Sequence, residues 1–152
     1  MKLSTKGRYA MVALSDMALR GEGALVTLGE ISAAQSISLS YLEQIFVKLR
    51  RAGIVESVRG AGGGYRLSRA PSDVRVVEVL EAVDEAVSAM KPGKGASGGS
   101  SGTRAQSLSN RLWEGLSAHV YVFLHQTSLA DVTRNAMVPC PAVPAILDVV
   151  DA

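Results

Sequence analysis

The stretch SLSYLEQ, residues 38–44, carries Ser38, Ser40, Tyr41, Glu43 and Gln44, which place hydroxyls, a carboxylate and an amide close together. Such groups read nucleic acid. An amide like that of Gln44 pairs with adenine through two hydrogen bonds, a carboxylate like that of Glu43 accepts from the amino group of cytosine, and short hydroxyls reach base edges or phosphates. Glu43 would also repel phosphates, so discrimination rather than affinity is its expected contribution. The bland alternative is a capping box between Ser40 and Glu43.

A second group of candidates lies in VRGAGGGYRL, residues 58–67, where four glycines stand between Arg59 and Arg66. A nucleotide-using enzyme built on residues 60–64 needs a loop running from strand into helix, with Lys and Ser or Thr after the last glycine. No such pair follows here, and no nucleophile and base stand at readable spacing. The expected form is the tip of a hairpin, with Gly60 and its neighbours free to take positive φ. Arg59 would then enter a minor groove, where narrow A·T tracts attract guanidinium; its alternative is a solvated cation. Metal chemistry has few donors. Cys140 is the only cysteine, between Pro139 and Pro141, and His119 and His125 are six positions apart, so they do not share a helix face.

The elements that must position these groups follow from periodicity. TKGRYAMVALSDMALRG has Tyr9, Val12, Ala13, Met17 and Ala18 at helical spacing, after a cap at Ser4 or Thr5. Thr27 and Glu30 form a capping-box pattern before a short helix over about residues 28–35. Only SIS separates it from a third helix with Leu39, Leu42, Ile45, Phe46 and Leu49 on one stripe, a helix-turn-helix pattern. The period then changes to two in GIVESVR and GYRLS, predicting a two-stranded wing. In the winged helix-turn-helix order the third helix offers its polar amino end to a major groove.

The chain of 152 residues is 47% hydrophobic, enough for one core with an added arm, and no apolar run is long enough to span a membrane. A cytoplasmic protein is expected, and a lone cysteine fits a reducing compartment. The net charge of +2 is unevenly spread: residues 1–69 hold ten Lys/Arg against five Asp/Glu, and residues 70–152 hold six against nine. The basic half suits a polyanion.

In the second half, Asp73 is placed to cap a helix with Val76, Val79, Leu80, Val83 and Val87 inward and Glu78, Glu81 and Glu85 in water. Residues 91–104, KPGKGASGGSSGTR, cannot offset their ordering entropy by burial and read as a flexible loop. Leu108, Leu112, Leu116, Val120, Phe123 and Leu124 then stripe a long helix beside Trp113, whose most economical partner is its own copy in a homodimer. Two such chains would read a pseudo-palindromic operator in double-stranded DNA. A Ser128/Asp131 cap begins a last short helix. The fold class is mainly α with a small β-wing: a winged helix-turn-helix domain over 1–90, a loop over 91–104, a dimerisation helix and short helix over 105–136, and a proline-containing tail over 137–152.

The words STKGRYA, SLSYLEQIF, LRRAGIVESVRGAGGGY and AVDE closely resemble the bacterial iron–sulfur cluster regulators of the IscR type, from Met1 to about Val87, and the likeness resumes at LSNRLWEGLS. The resemblance implies a dimeric transcription factor, a repressor of genes for iron–sulfur cluster or iron metabolism, not an enzyme. DNA contacts carry over onto Ser38, Ser40, Tyr41, Glu43, Gln44 and Arg59, with Gly60 beside them. It also implies a 2Fe-2S cluster bound by three cysteines and a histidine, at places this chain fills with Gly95, Ser101, Ser107 and Asn110. None is a usual donor to such irons, which favour thiolate and imidazole. Two accounts stand: a cluster-independent regulator, or a cluster with atypical ligands that include Cys140.

Overall fold

Ser4 Oγ accepts from the Gly7 N–H and starts helix α1 (Thr5–Leu19). Residues 4–84 and 102–137 are described in this computed structural model; most of the Gly/Ser-rich segment, Glu85, Val87 and the tail with Cys140 lie outside them. The inward face of α1 is Ala10, Ala13, Leu14 and Met17. Val12, expected inside, is 40% exposed, because the buried stripe runs through Ala10, Leu14 and Met17 and leaves Val12 on the far side.

Thr27 caps α2 (Leu28–Gln35) in a two-way exchange with Glu30: Thr27 Oγ1 accepts from the Glu30 N–H, and the Glu30 carboxylate accepts from the Thr27 N–H at 2.7 Å. Ser36 takes the left-handed conformation, φ 55°, and the Ser32 hydroxyl donates to the Ile37 carbonyl at 2.6 Å, pinning the turn. Helix α3 (Leu39–Arg51) follows. Leu42, Ile45, Phe46 and Leu49 are buried, whereas Leu39, at the exposed start of the helix, does not join them.

Strands β1 (Val55–Val58) and β2 (Gly64–Leu67) pair antiparallel, Val55 opposite Leu67 and Val58 opposite Gly64. The glycine loop therefore leads from strand to strand, and the phosphate-loop reading of residues 60–64 fails on topology. A single turn of 3-10 helix (Pro71–Asp73) leads into α4 (Val76–Ala82).

The start of α4 differs from expectation. Its N-cap residue is Arg75, whose N–H donates to the Glu78 carboxylate at 2.9 Å, and Asp73 remains in the preceding turn. The reason lies far along the chain. Val76 N–H donates to the Thr127 carbonyl at 2.9 Å and Leu129 N–H to the Val74 carbonyl at 2.8 Å, so residues 74 and 75 are held extended against 127–129 and the helix begins later.

Helix α5 (Arg104–Gln126) is capped by Thr103, and α6 (Leu129–Thr133) by the expected Ser128/Asp131 exchange. One core unites the described residues: Leu14 and Met17 of α1, Ile31 of α2, Leu42, Phe46 and Leu49 of α3, Ile54, Val79, and Leu129 from beyond the long helix.

Candidate nucleic-acid interface

Because Leu42, Ile45, Phe46 and Leu49 face the core, the remaining sides of α3 are fixed outward. Ser38, Ser40, Glu43 and Gln44 are all exposed on its first turns, and Tyr41 is half-buried. The Tyr41 ring meets Tyr9 of α1 edge-on, centroids 5.5 Å apart, which sets its direction at the border of the exposed face. Ser38 is the N-cap residue but its hydroxyl caps nothing; Ser38 Oγ and Ser40 Oγ share a hydrogen bond of 3.0 Å instead. The Ser40/Glu43 capping box does not form, since Ser40 already lies inside the helix. Glu43 and Gln44 make no hydrogen bond or ion pair among the described residues, so both polar ends are available to a ligand.

The wing packs against α3 from the core side. Tyr65 of β2 packs edge-on against Phe46, centroids 5.0 Å apart, and Val26 exchanges backbone hydrogen bonds with Tyr65, so the hairpin is fixed to α3 and to the segment before α2. Arg66 pairs with Glu56 across the strands. Arg59 and Gly60 are exposed at the tip, and Arg59 has no partner among the described residues. Gly60 has φ 103°, a backbone that side chains rarely adopt. Gly64 is required for another reason: a Cβ there would lie 2.6 Å from the Val26 carbonyl oxygen.

Two cations join this surface without any pattern in the sequence singling them out. Lys6 and Lys48 line a shallow recess with Tyr41, Gln44, Ile45 and Val83, and Lys48 is ion-paired with Asp84. The available signal is spacing, since Lys48 falls one turn beyond Gln44 on the same side of α3. Arg50 and Arg51 at the end of α3 and Arg59 on the wing add further exposed cations.

Helix α5 leaves much of its apolar side in water. Asn110 is buried, and Gln106, Ser117, Val120 and Leu124 are partly covered, while Leu108, Leu112, Trp113, Leu116 and Phe123 are 42–63% exposed. His125 stacks on Tyr121, centroids 5.9 Å apart, and no group of three metal-ligating side chains occurs among the described residues. At the cluster-ligand places implied by resemblance, Ser107 is exposed and Asn110 is 8% exposed within the helix; Gly95, Ser101 and Cys140 lie outside the described residues. An alcohol and an amide do not fit a 2Fe-2S cluster.

No helix among the described residues is long and apolar enough to cross a membrane. The family profile of Rrf2, described as Iron-dependent Transcriptional regulator, matches residues 3–135. The chain is 68% identical to the HTH-type transcriptional regulator IscR of Cereibacter sphaeroides over 153 aligned positions, covering 99% of both chains. Among solved structures it is similar to T. potens IscR, with a TM-score of 0.65 and 32% identity over 90% of this chain and 88% of that one. It is also similar to CymR, the global cysteine regulator of B. subtilis, with a TM-score of 0.75 and 28% identity over 89% of this chain and 98% of the other.

Proposed function

The chain belongs to the Rrf2 family of transcriptional regulators and is an IscR-like, DNA-binding regulator rather than an enzyme; from that premise we propose that it acts in the cytoplasm as a homodimeric repressor of genes for iron–sulfur cluster or iron metabolism. The observation that carries the DNA reading is the divided character of α3, with its leucine side inside the core and Glu43 and Gln44 in water without partners. In this proposal the amino end of α3 enters the major groove. Gln44 reads adenine, Glu43 selects cytosine by accepting from its amino group, and Ser38, Ser40 and Tyr41 orient the helix on phosphates and base edges. Arg59 enters the neighbouring minor groove, and Gly60 lets the wing tip approach the backbone closely.

The outward apolar side of α5 supports pairing with a second copy. A two-fold pair places two α3 helices about one helical turn of DNA apart and calls for a pseudo-palindromic site. Bound over a promoter, such a pair excludes polymerase, which is the basis for assigning repression. The target genes are assigned from the family description and from likeness to IscR.

Ser107 and Asn110 do not fit a 2Fe-2S cluster, and the DNA contacts named above need none. The cluster-independent regulator is the form this donor chemistry favours. A cluster with atypical ligands would need Cys140, the sole thiol of the chain, supplied once by each member of a pair.

Selection of bound duplexes from a random-sequence pool at physiological salt tests the proposal. Enrichment of a two-fold symmetric motif is the expected result, and binding no tighter to any selected duplex than to its scrambled version overturns it.

A further inference from the structure

The ion pair between Lys48 of α3 and Asp84, just beyond α4, joins the reading helix to a residue far from it in sequence. We propose that Lys48 is a DNA-phosphate contact of α3, and that Asp84 occupies its ammonium as an intramolecular stand-in for that phosphate until DNA displaces it. This rests on the DNA-binding reading above.

Three features of the pair carry the inference. Lys48 follows Gln44 by one turn, and both line the recess into which Lys6 also projects, so the ammonium lies on the flank of the face that Gln44 occupies. A cation there meets the phosphate backbone beside the groove, not the base edges. Secondly, the pair contributes little to stability: the Asp84 side chain is 70% exposed and that of Lys48 33% exposed, the kind of solvated pair whose net value is close to zero. A phosphate, carrying its own charge and several acceptor oxygens, therefore competes with it on favourable terms.

Thirdly, Asp84 is held in place by the fold. It has φ 59°, a left-handed conformation in which Asp is among the tolerated residues, its N–H donates to the Glu81 carbonyl at 3.1 Å, and its neighbour Val83 is fully buried. The hydrogen bond from Lys48, helped by the charges of Lys48 and Lys6, keeps the Asp84 carboxyl below its ordinary range and ionised. The carboxylate thus stands where a phosphate oxygen would stand and opposes DNA by occupying Lys48.

The test uses the full chain, a duplex selected by the wild-type protein and a scrambled duplex of equal length, with affinity followed by fluorescence anisotropy across a salt series. Asp84→Asn keeps a residue that tolerates positive φ and removes the charge; it should bind both duplexes about two- to fivefold more tightly. Asp84→Gly, which accepts the same backbone, should do likewise. Lys48→Gln should weaken both and lower the slope of log affinity against log salt by about one. Asp84→Asn added to Lys48→Gln should then change affinity by less than about twofold, because the aspartate acts through the lysine.

An unaltered salt slope in Lys48→Gln overturns the inference, and so does an equal gain from Asp84→Asn with and without Lys48, which would mark a general charge effect. A wild-type protein that selects no duplex overturns the DNA reading and this inference together. Selection that succeeds while the cycle fails overturns this inference alone.

Discussion

Val26 and Tyr65 donate to each other's carbonyls, at 2.9 and 2.7 Å, and so join the wing to the chain just before α2. Gly64 sits where that approach is tightest. Gly64→Ala would set a Cβ against the Val26 carbonyl and should cost about 1–3 kcal/mol in urea unfolding at fixed protein concentration. Unchanged stability would mean that the wing is not held by this contact.

Glu43 and Gln44 should separate specificity from affinity. Gln44→Ala should lose about 1–3 kcal/mol on the selected duplex, with relaxed preference at one A·T position, and almost nothing on scrambled DNA. Glu43→Ala should broaden the motif recovered by selection while leaving total binding equal or stronger. Equal losses on selected and scrambled duplexes for Gln44→Ala would place its amide on phosphates instead.

Arg59 carries its charge at the exposed tip of the hairpin. Arg59→Ala should lower the salt slope by about one and weaken binding most on sites whose flanks are A·T tracts, as competition assays with A·T- and G·C-flanked duplexes would reveal.

Leu112 and Leu116 lie on the exposed apolar side of α5. Leu112→Asp with Leu116→Asp should shift the protein from dimer to monomer in analytical ultracentrifugation and reduce affinity for a two-fold site by well over tenfold, while circular dichroism stays close to wild type. A wild-type protein that sediments as a monomer at micromolar concentration would exclude the pairing role of α5.

Asp16 accepts from Arg20 Nε at 2.6 Å and from Gln35 Nε2 at 3.1 Å, tying the end of α1 to the end of α2. The Arg20 hydrogen bond is the main reason its carboxyl titrates below the ordinary range, with Gln35 adding to it against the effect of burial. A folded-state pKa below the unfolded one contributes stability that is present above the unfolded value and is lost as pH falls through the folded one. Asp16→Asn should therefore cost about 1–3 kcal/mol near neutral pH, a difference that shrinks below about pH 4. A constant difference down to pH 2 would contradict this.

Iron and sulfide content after strictly anaerobic isolation decides between the two accounts of the cluster. Ser107→Ala and Asn110→Ala should leave that content and the visible spectrum unchanged, because neither side chain is a fitting donor. Colourless wild-type protein establishes the cluster-independent account, and a cluster fully retained in Cys140→Ala removes Cys140 from the ligand set.

What could be read from the sequence was what repeats locally. The Thr27/Glu30 and Ser128/Asp131 caps, the stripe through Leu42, Ile45, Phe46 and Leu49, and the change of period at the wing each depend on neighbours within a few positions, and each stands in the fold. Asp73 is not the cap, because the element that delays α4, residues 127–129, lies more than fifty positions away and has no local signature. Val12 faces outward for a related reason: periodicity gives a face but not its exact bearing, which the packing of α1 on α3 and α4 decides. Within the candidate site, the exposed placement of Glu43, Gln44 and Arg59 follows from residue type and order. The pairing of Lys48 does not, since it depends on Asp84, which only the return of α4 brings beside it.

The ladder between residues 74–76 and 127–129 gives the fold an unexpected rigidity of measure. Leu129, with no exposed surface, locks the far end of α5 back into the body that carries α3, so the long helix is not a loose stalk but the arm of a caliper. In the proposed pair, two such arms clamped together would hold their jaws at one gap, and five extra base pairs between the two halves of a target would turn one jaw to the wrong side of the double helix.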